Sequence, residues 1–147
     1  MKSCRIITGE KCEGKSTRMM HIAKEIPNSV GFIMPRSDCG YSLYSISSEK
    51  AVPFMTDRNI FPDRIGKWYY DQSLFEMILD ELSEVISGTV LIDEVGRLEL
   101  DDGGYAPVLR LLKDRDIDLV VSVRKSFADD VIRKFFQGEK VLVEALS

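Results

Sequence analysis

Eight consecutive residues, Gly9-Glu10-Lys11-Cys12-Glu13-Gly14-Lys15-Ser16, have the types and spacing of an anion cradle. They match GxxxxGK[ST] with nothing missing. The two glycines permit turns that gather backbone N–H groups around one anion. A helix starting near Lys15 would aim its free N–H groups and its positive dipole end at the same point. Lys15 adds a full positive charge for the β- and γ-phosphates of a nucleotide, and Ser16 offers a hydroxyl to Mg²⁺. Gly9, Glu10, Lys11, Cys12, Glu13, Gly14, Lys15, Ser16 and Thr17 are therefore the candidate nucleotide contacts of the loop. Glu10 and Glu13 are unusual beside a phosphate and are expected to point outward. Cys12 reads as a small packing residue, the alternative being a redox switch.

A second chemistry-bearing group lies downstream. Val90-Leu91-Ile92 is an apolar strand that ends in Asp93-Glu94. Alone, a strand ending in acids is usually just solvated. Paired with an upstream phosphate loop, it has a defined use: Asp93 holds Mg²⁺, through water or through the loop hydroxyl, which makes Ser16 and Asp93 the candidate metal ligands. Glu94 is then placed to polarise an attacking water.

The elements that must position these groups follow from periodicity. Cys4–Thr8 reads as a buried strand feeding the loop, and Lys15–Ile26 as a helix with Met19, Ile22, Ala23 and Ile26 on one stripe. Val30–Met34 is a second strand. Tyr41–Ser47 and Ala51–Met55 suggest a hairpin at a sheet edge, and the polar stretch Thr56–Gly66 a loop. Ser73–Ser87 reads as a helix with capping-box spacing at Ser73 and Glu76, closed by Gly88. Thr89–Ile92 is the strand before the acids. Tyr105–Lys113 is a helix with Pro107 in its first turn, and Ile117–Val123 a buried strand. Ser126 is expected to cap a last helix that Gly138 ends, before a strand at Val141–Ala145. Strands that are apolar throughout and alternate with helices predict an α/β fold, with a mostly parallel sheet covered on both faces.

Composition bounds the rest. The chain has 147 residues, 44% hydrophobic and 30% charged, and reads as one domain over 1–147 with a sizeable core. The net charge of −4 gives no global attraction for nucleic acid or an anionic membrane, so any anion site is local. No apolar run approaches a membrane span, and no apolar region after the basic N-terminal residues suggests a leader. Three cysteines without CxxC spacing suit a reducing cytoplasm better than a disulfide framework.

The stretch Leu91–Leu100, LIDEVGRLEL, resembles the "DEIGxMEL" signature of a family of small P-loop nucleoside-triphosphatases in bacteria, archaea and animals, whose human member is called cancer-related nucleoside-triphosphatase. Val30-Gly31-Phe32 is similar to that family's second strand, Ile65-Gly66-Lys67-Trp68 to its GKY-like segment, and Leu119–Arg124 to the strand after the signature. Thr usually follows the loop Lys in the family, where this chain has Ser16 then Thr17. Of two arginines common around the hairpin, Arg36 matches one, and Tyr41 stands near the other.

The resemblance implies a RecA-like sheet in which another strand separates the loop strand from the Asp93 strand. It implies hydrolysis of ATP, GTP and other nucleoside triphosphates to the diphosphate and phosphate, with Mg²⁺. It adds Gly96, Arg97 and Glu99 to the nucleotide-contacting candidates, so that Lys15, Glu94 and Arg97 form the expected catalytic set. Arg97 would stabilise charge on the leaving phosphates, or else form a surface salt bridge; Glu99 suits a supporting role. No Asn/Thr-Lys-x-Asp-like guanine-reading stretch occurs, so base selectivity is expected to be low. Two other readings share the core. A small-molecule or nucleotide kinase would want an Arg-rich lid, whereas Arg124, Lys125, Arg133 and Lys134 are scattered. A non-catalytic nucleotide sensor would want an exposed recognition tail, and neither terminus reads as one. The sequence does not identify a protein partner. His21 suits a solvated or capping role, and Trp68-Tyr69-Tyr70 a core or anchoring role. Arg124 stands at a strand end on the expected ligand side.

Overall fold

Ile6 and Ile7 are both fully buried, on opposite faces of the first strand. The same division recurs in the neighbouring strands, where Val90, Ile92, Leu119 and Val121 join one core and Leu91 and Val120 the other. Continuous apolar runs are thus what a sheet covered on both sides requires. The structure, a computed structural model, describes residues 1–11 and 13–146.

The strands are β1 (Ser3–Gly9), β2 (Val30–Ile33), β3 (Arg36–Ser37), β4 (Gly40–Ser45), β5 (Lys50–Thr56), β6 (Asp63–Ile65), β7 (Trp68–Tyr70), β8 (Ser87–Val95), β9 (Asp116–Arg124) and β10 (Val141–Ala145). The helices are α1 (Lys15–Glu25), α2 (Gln72–Ser83), α3 (Arg97–Leu100), α4 (Ala106–Leu112) and α5 (Ala128–Phe135). Among the described residues the strands form one sheet in the order β10-β1-β9-β8-β2-β4-β5-β7-β6, with β3 beside β4. The first five run parallel, and the others add antiparallel pairs at the far edge. β9 lies between β1 and β8, as the resemblance implies. Met19 and Ile22 of α1 cover one face, whereas α2, α4 and α5 cover the other through Phe75, Ile78, Val108, Leu109, Val131 and Phe135.

Several local expectations are corrected. Helix α2 is capped by Asp71, whose carboxylate accepts from the Ser73 N–H at 3.0 Å, and not by Ser73 with Glu76. It ends at Ser83; Gly88 lies inside β8, which is longer than periodicity suggested. Ser126 sits within a 3₁₀ turn at Lys125–Phe127, so α5 begins one residue later than a Ser126 cap would place it, with Phe127 at the cap position. Asp63–Ile65 is a strand paired with Trp68–Tyr70, where a loop was expected, because the turn at Gly66 folds it back on its neighbour. The short helix α3, inside the LIDEVGRLEL stretch, is too brief to show a period.

Candidate nucleotide site

At the C-terminal ends of β1 and β8 the two chemistry-bearing segments meet. Ser16 Oγ donates to Asp93 Oδ2 at 2.6 Å. Asp93 has no exposed surface. Its Oδ2 also accepts the Met34 N–H at 2.9 Å, and Oδ1 accepts from Ser122 Oγ. Burial raises the Asp93 pKa, while the bonds from Ser122, Ser16 and Met34 and the charge of Lys15 oppose the rise.

Ser122 also explains how Asp93 and Glu94 are aimed. The β8–β9 ladder pairs Ile92 with Val121 and Val95 with Val123, so two residues of β8 oppose the single Ser122. This is a β-bulge, which bends a strand end and redirects its side chains. Glu94 takes a left-handed φ of 61°, rare outside glycine, and its N–H donates to Ser122 Oγ at 2.8 Å. One hydroxyl thus fixes both acids. Burial, then repulsion from Asp93, raises the Glu94 pKa; Lys15 and Arg124 act against that rise.

The loop opens on α1 through Gly14, whose φ of 87° only glycine adopts freely. Lys15 is buried, and its Nζ donates to the carbonyls of Glu10 at 2.9 Å and Gly9 at 3.3 Å. Glu13 does not point outward: its carboxylate accepts the backbone N–H of Glu10. An anion therefore already engages one amide of the cradle. Cys12 lies outside the described residues.

A cavity of about 530 Å³ opens on this loop. Lys11, Gly14, Lys15, Ser16 and Thr17 line it, while Gly9, Glu10 and Glu13 belong to the loop without lining it. Glu94 and Arg124 close one end; Arg36, Tyr41 and His21 also face it. Gly96 and Arg97 lie elsewhere, on a second cavity beyond Glu94. Glu99 is buried, and its carboxylate accepts from Gly96 N at 2.6 Å and Tyr105 N at 2.9 Å, tying α3 to the start of α4. Burial pushes its pKa up to about 7 despite these donors. Residue reasoning missed Ser122; its one signal was a lone hydroxyl in the apolar run Leu119–Val123.

The hydroxyl and carboxylate at Ser16 and Asp93 are hard oxygen donors, the kind Mg²⁺ takes alongside phosphate and water. No cluster of three or more His, Cys, Asp or Glu suited to a metal occurs among the described residues. Burial pushes the Cys4 thiol up to about 12, out of range of easy ionisation. No described helix is long and apolar enough to cross a membrane.

The chain is similar to known proteins along nearly its whole length. A family model described as NTPase matches residues 4–146. The nucleoside-triphosphatase THEP1 of Thermotoga petrophila is 24% identical over 150 residues, spanning 97% of this chain and 83% of its own. That of Thermotoga sp. strain RQ2 is 26% identical, spanning 97% and 85%. The crystal structure of THEP1 from the hyperthermophile Aquifex aeolicus superposes with a TM-score of 0.77 at 19% identity, covering 98% of this chain and 90% of that one. At that identity it bears on the fold alone.

Proposed function

The chain belongs to the NTPase family, and from that membership and the site geometry we propose that it hydrolyses nucleoside triphosphates, ATP and GTP among them, to the diphosphate and phosphate. The observation that carries the reading is the 2.6 Å bond from Ser16 to Asp93. It joins the phosphate loop to the bulge that presents Glu94 on the same cavity.

On this reading Lys15 leaves the loop carbonyls for the β- and γ-phosphates, and the loop amides and the α1 N-terminus hold the remaining charge. Ser16 and Asp93 hold Mg²⁺, which when bound neutralises charge on the phosphate oxygens. Glu94 accepts a hydrogen bond from a water in line with the terminal phosphate and takes its proton as the water attacks. Its raised pKa makes it a better base than an exposed carboxylate. Arg124, on the same wall, is positioned to meet charge on the transferred group. Arg97 reaches that charge only from the far side of Glu94. Backbone contacts to phosphate are blind to the base, so selectivity among nucleotides is low. Residues 1–147 work as a single domain, and a reducing cytoplasm suits Cys4 and Cys39, both free thiols.

Lys15→Ala tests the loop directly. A ligand that binds only the folded state raises its stability by mass action. Saturating Mg·ATP is expected to raise the melting temperature of the wild type and not that of the variant. An equal rise in both would refute the loop assignment.

A further inference from the structure

Beyond Glu94 lies a second cavity, of about 300 Å³, that no described residue of the 9–17 loop lines. It shares Glu94 and Arg124 with the loop cavity, so the two meet at the groups that face the terminal phosphate. One wall is aromatic: Trp68 and Phe127, both half-buried. Lys67 and Arg97, both exposed, stand at the same cavity, and Arg124 is half-buried beside them. The Lys67 ammonium lies 4.7 Å from the centre of the Trp68 ring. Of the carboxylates present, Glu99 already spends both oxygens on the N–H groups of Gly96 and Tyr105. Three cations therefore outweigh the one available carboxylate, Glu94.

These features select a ligand class. The volume is at the small end of ligand sites and holds one compact molecule. Aromatic walls take planar rings by stacking, and converging Lys and Arg take phosphate or carboxylate. A triphosphate on the loop already has its own cavity, so a molecule here is a second ligand.

We propose that this cavity binds a small planar aromatic molecule carrying an anionic group, beside the terminal phosphate and across Glu94 from the loop. The proposal rests on the reading that a nucleotide lies in the loop cavity with its terminal phosphate toward Glu94. A bound molecule there crowds out the water that Glu94 orients, and hydrolysis slows.

Trp68 is the chain's single tryptophan, so its fluorescence reports on the cavity. The full chain is saturated with Mg·ADP to fill the loop, then titrated with AMP and with GMP. A saturable change in Trp68 emission is expected. Arg97→Ala and Lys67→Glu, both at exposed positions, should each weaken it about tenfold. Inorganic phosphate alone and adenosine alone should each bind far more weakly, and AMP should lower the rate of phosphate release without raising KM for ATP. The proposal falls if neither probe changes the emission up to roughly 10 mM, or if Mg·ADP abolishes the response, since the probe would then be sitting on the loop. It falls equally if phosphate or adenosine alone matches AMP. Failure of the loop reading looks different: Mg·ADP would then produce no thermal shift, whatever Trp68 reports.

Discussion

At the residue scale, carboxylates that accept backbone N–H groups recur around the site. Glu13 is legible in the sequence as an oddity of the loop, but not in its orientation, because that depends on one side-chain bond to the Glu10 amide. Its carboxylate competes with phosphate for the Glu10 amide. Glu13→Gln should therefore bind Mg·ATP more tightly, by about 1.5 kcal/mol or roughly tenfold, the low end for a charged hydrogen bond. Isothermal titration of the two proteins measures this, and weaker binding by the variant would mean that Glu13 builds the loop.

Glu99 was visible as part of a signature stretch, yet its carboxylate serves two helix starts. Its pKa is near 7 in the folded protein, above the ordinary 4.5, so the folded state holds the proton more tightly. The resulting stability is present below about pH 4.5 and is lost as pH rises through 7, up to ~3 kcal/mol. The melting temperature should fall across that window, and fall less in Glu99→Gln. An identical pH slope in the two proteins would contradict the account.

At the element scale, the apolar strands and long helices followed from pattern, whereas ends and bulges did not. Periodicity cannot see the Asp71 cap, which rests on one side-chain bond, or the two-against-one pairing of β8 with β9. The Gly31-Phe32 match has a physical basis here. A Cβ at Gly31 would lie 1.9 Å from the Leu91 carbonyl oxygen, so β2 pairs this closely with β8 only through glycine. Ser122 locks the neighbouring bulge. Ser122→Ala leaves Glu94 N–H and Asp93 Oδ1 each short of a partner. The expected cost is about 2 kcal/mol of stability, with phosphate release reduced about tenfold as Glu94 loses its aim. Urea denaturation and a phosphate-release assay read the two effects separately. A variant that loses stability but keeps full turnover would show that the bulge does not orient the base.

At the scale of the whole molecule, the parallel core was readable because β1, β8 and β9 carry buried apolar residues on both faces, and loop and acids fall at the ends of separate strands. The β6–β7 pair was not, since a strand as short and polar as Asp63–Ile65 at an edge resembles a loop. The same topology brings the loop, the bulge and Glu94 to one end of the sheet, and hydrolysis is the chemistry that this placement serves. Phosphate release from Mg·ATP by wild type and Glu94→Gln, with thermal shift by Mg·ATP as the binding control, tests that claim most directly. Gln keeps the size of Glu94 and removes its charge and basicity. Release should fall by roughly 10²–10⁴, the usual worth of a general base, while the thermal shift persists. Wild-type release by Glu94→Gln would contradict the account.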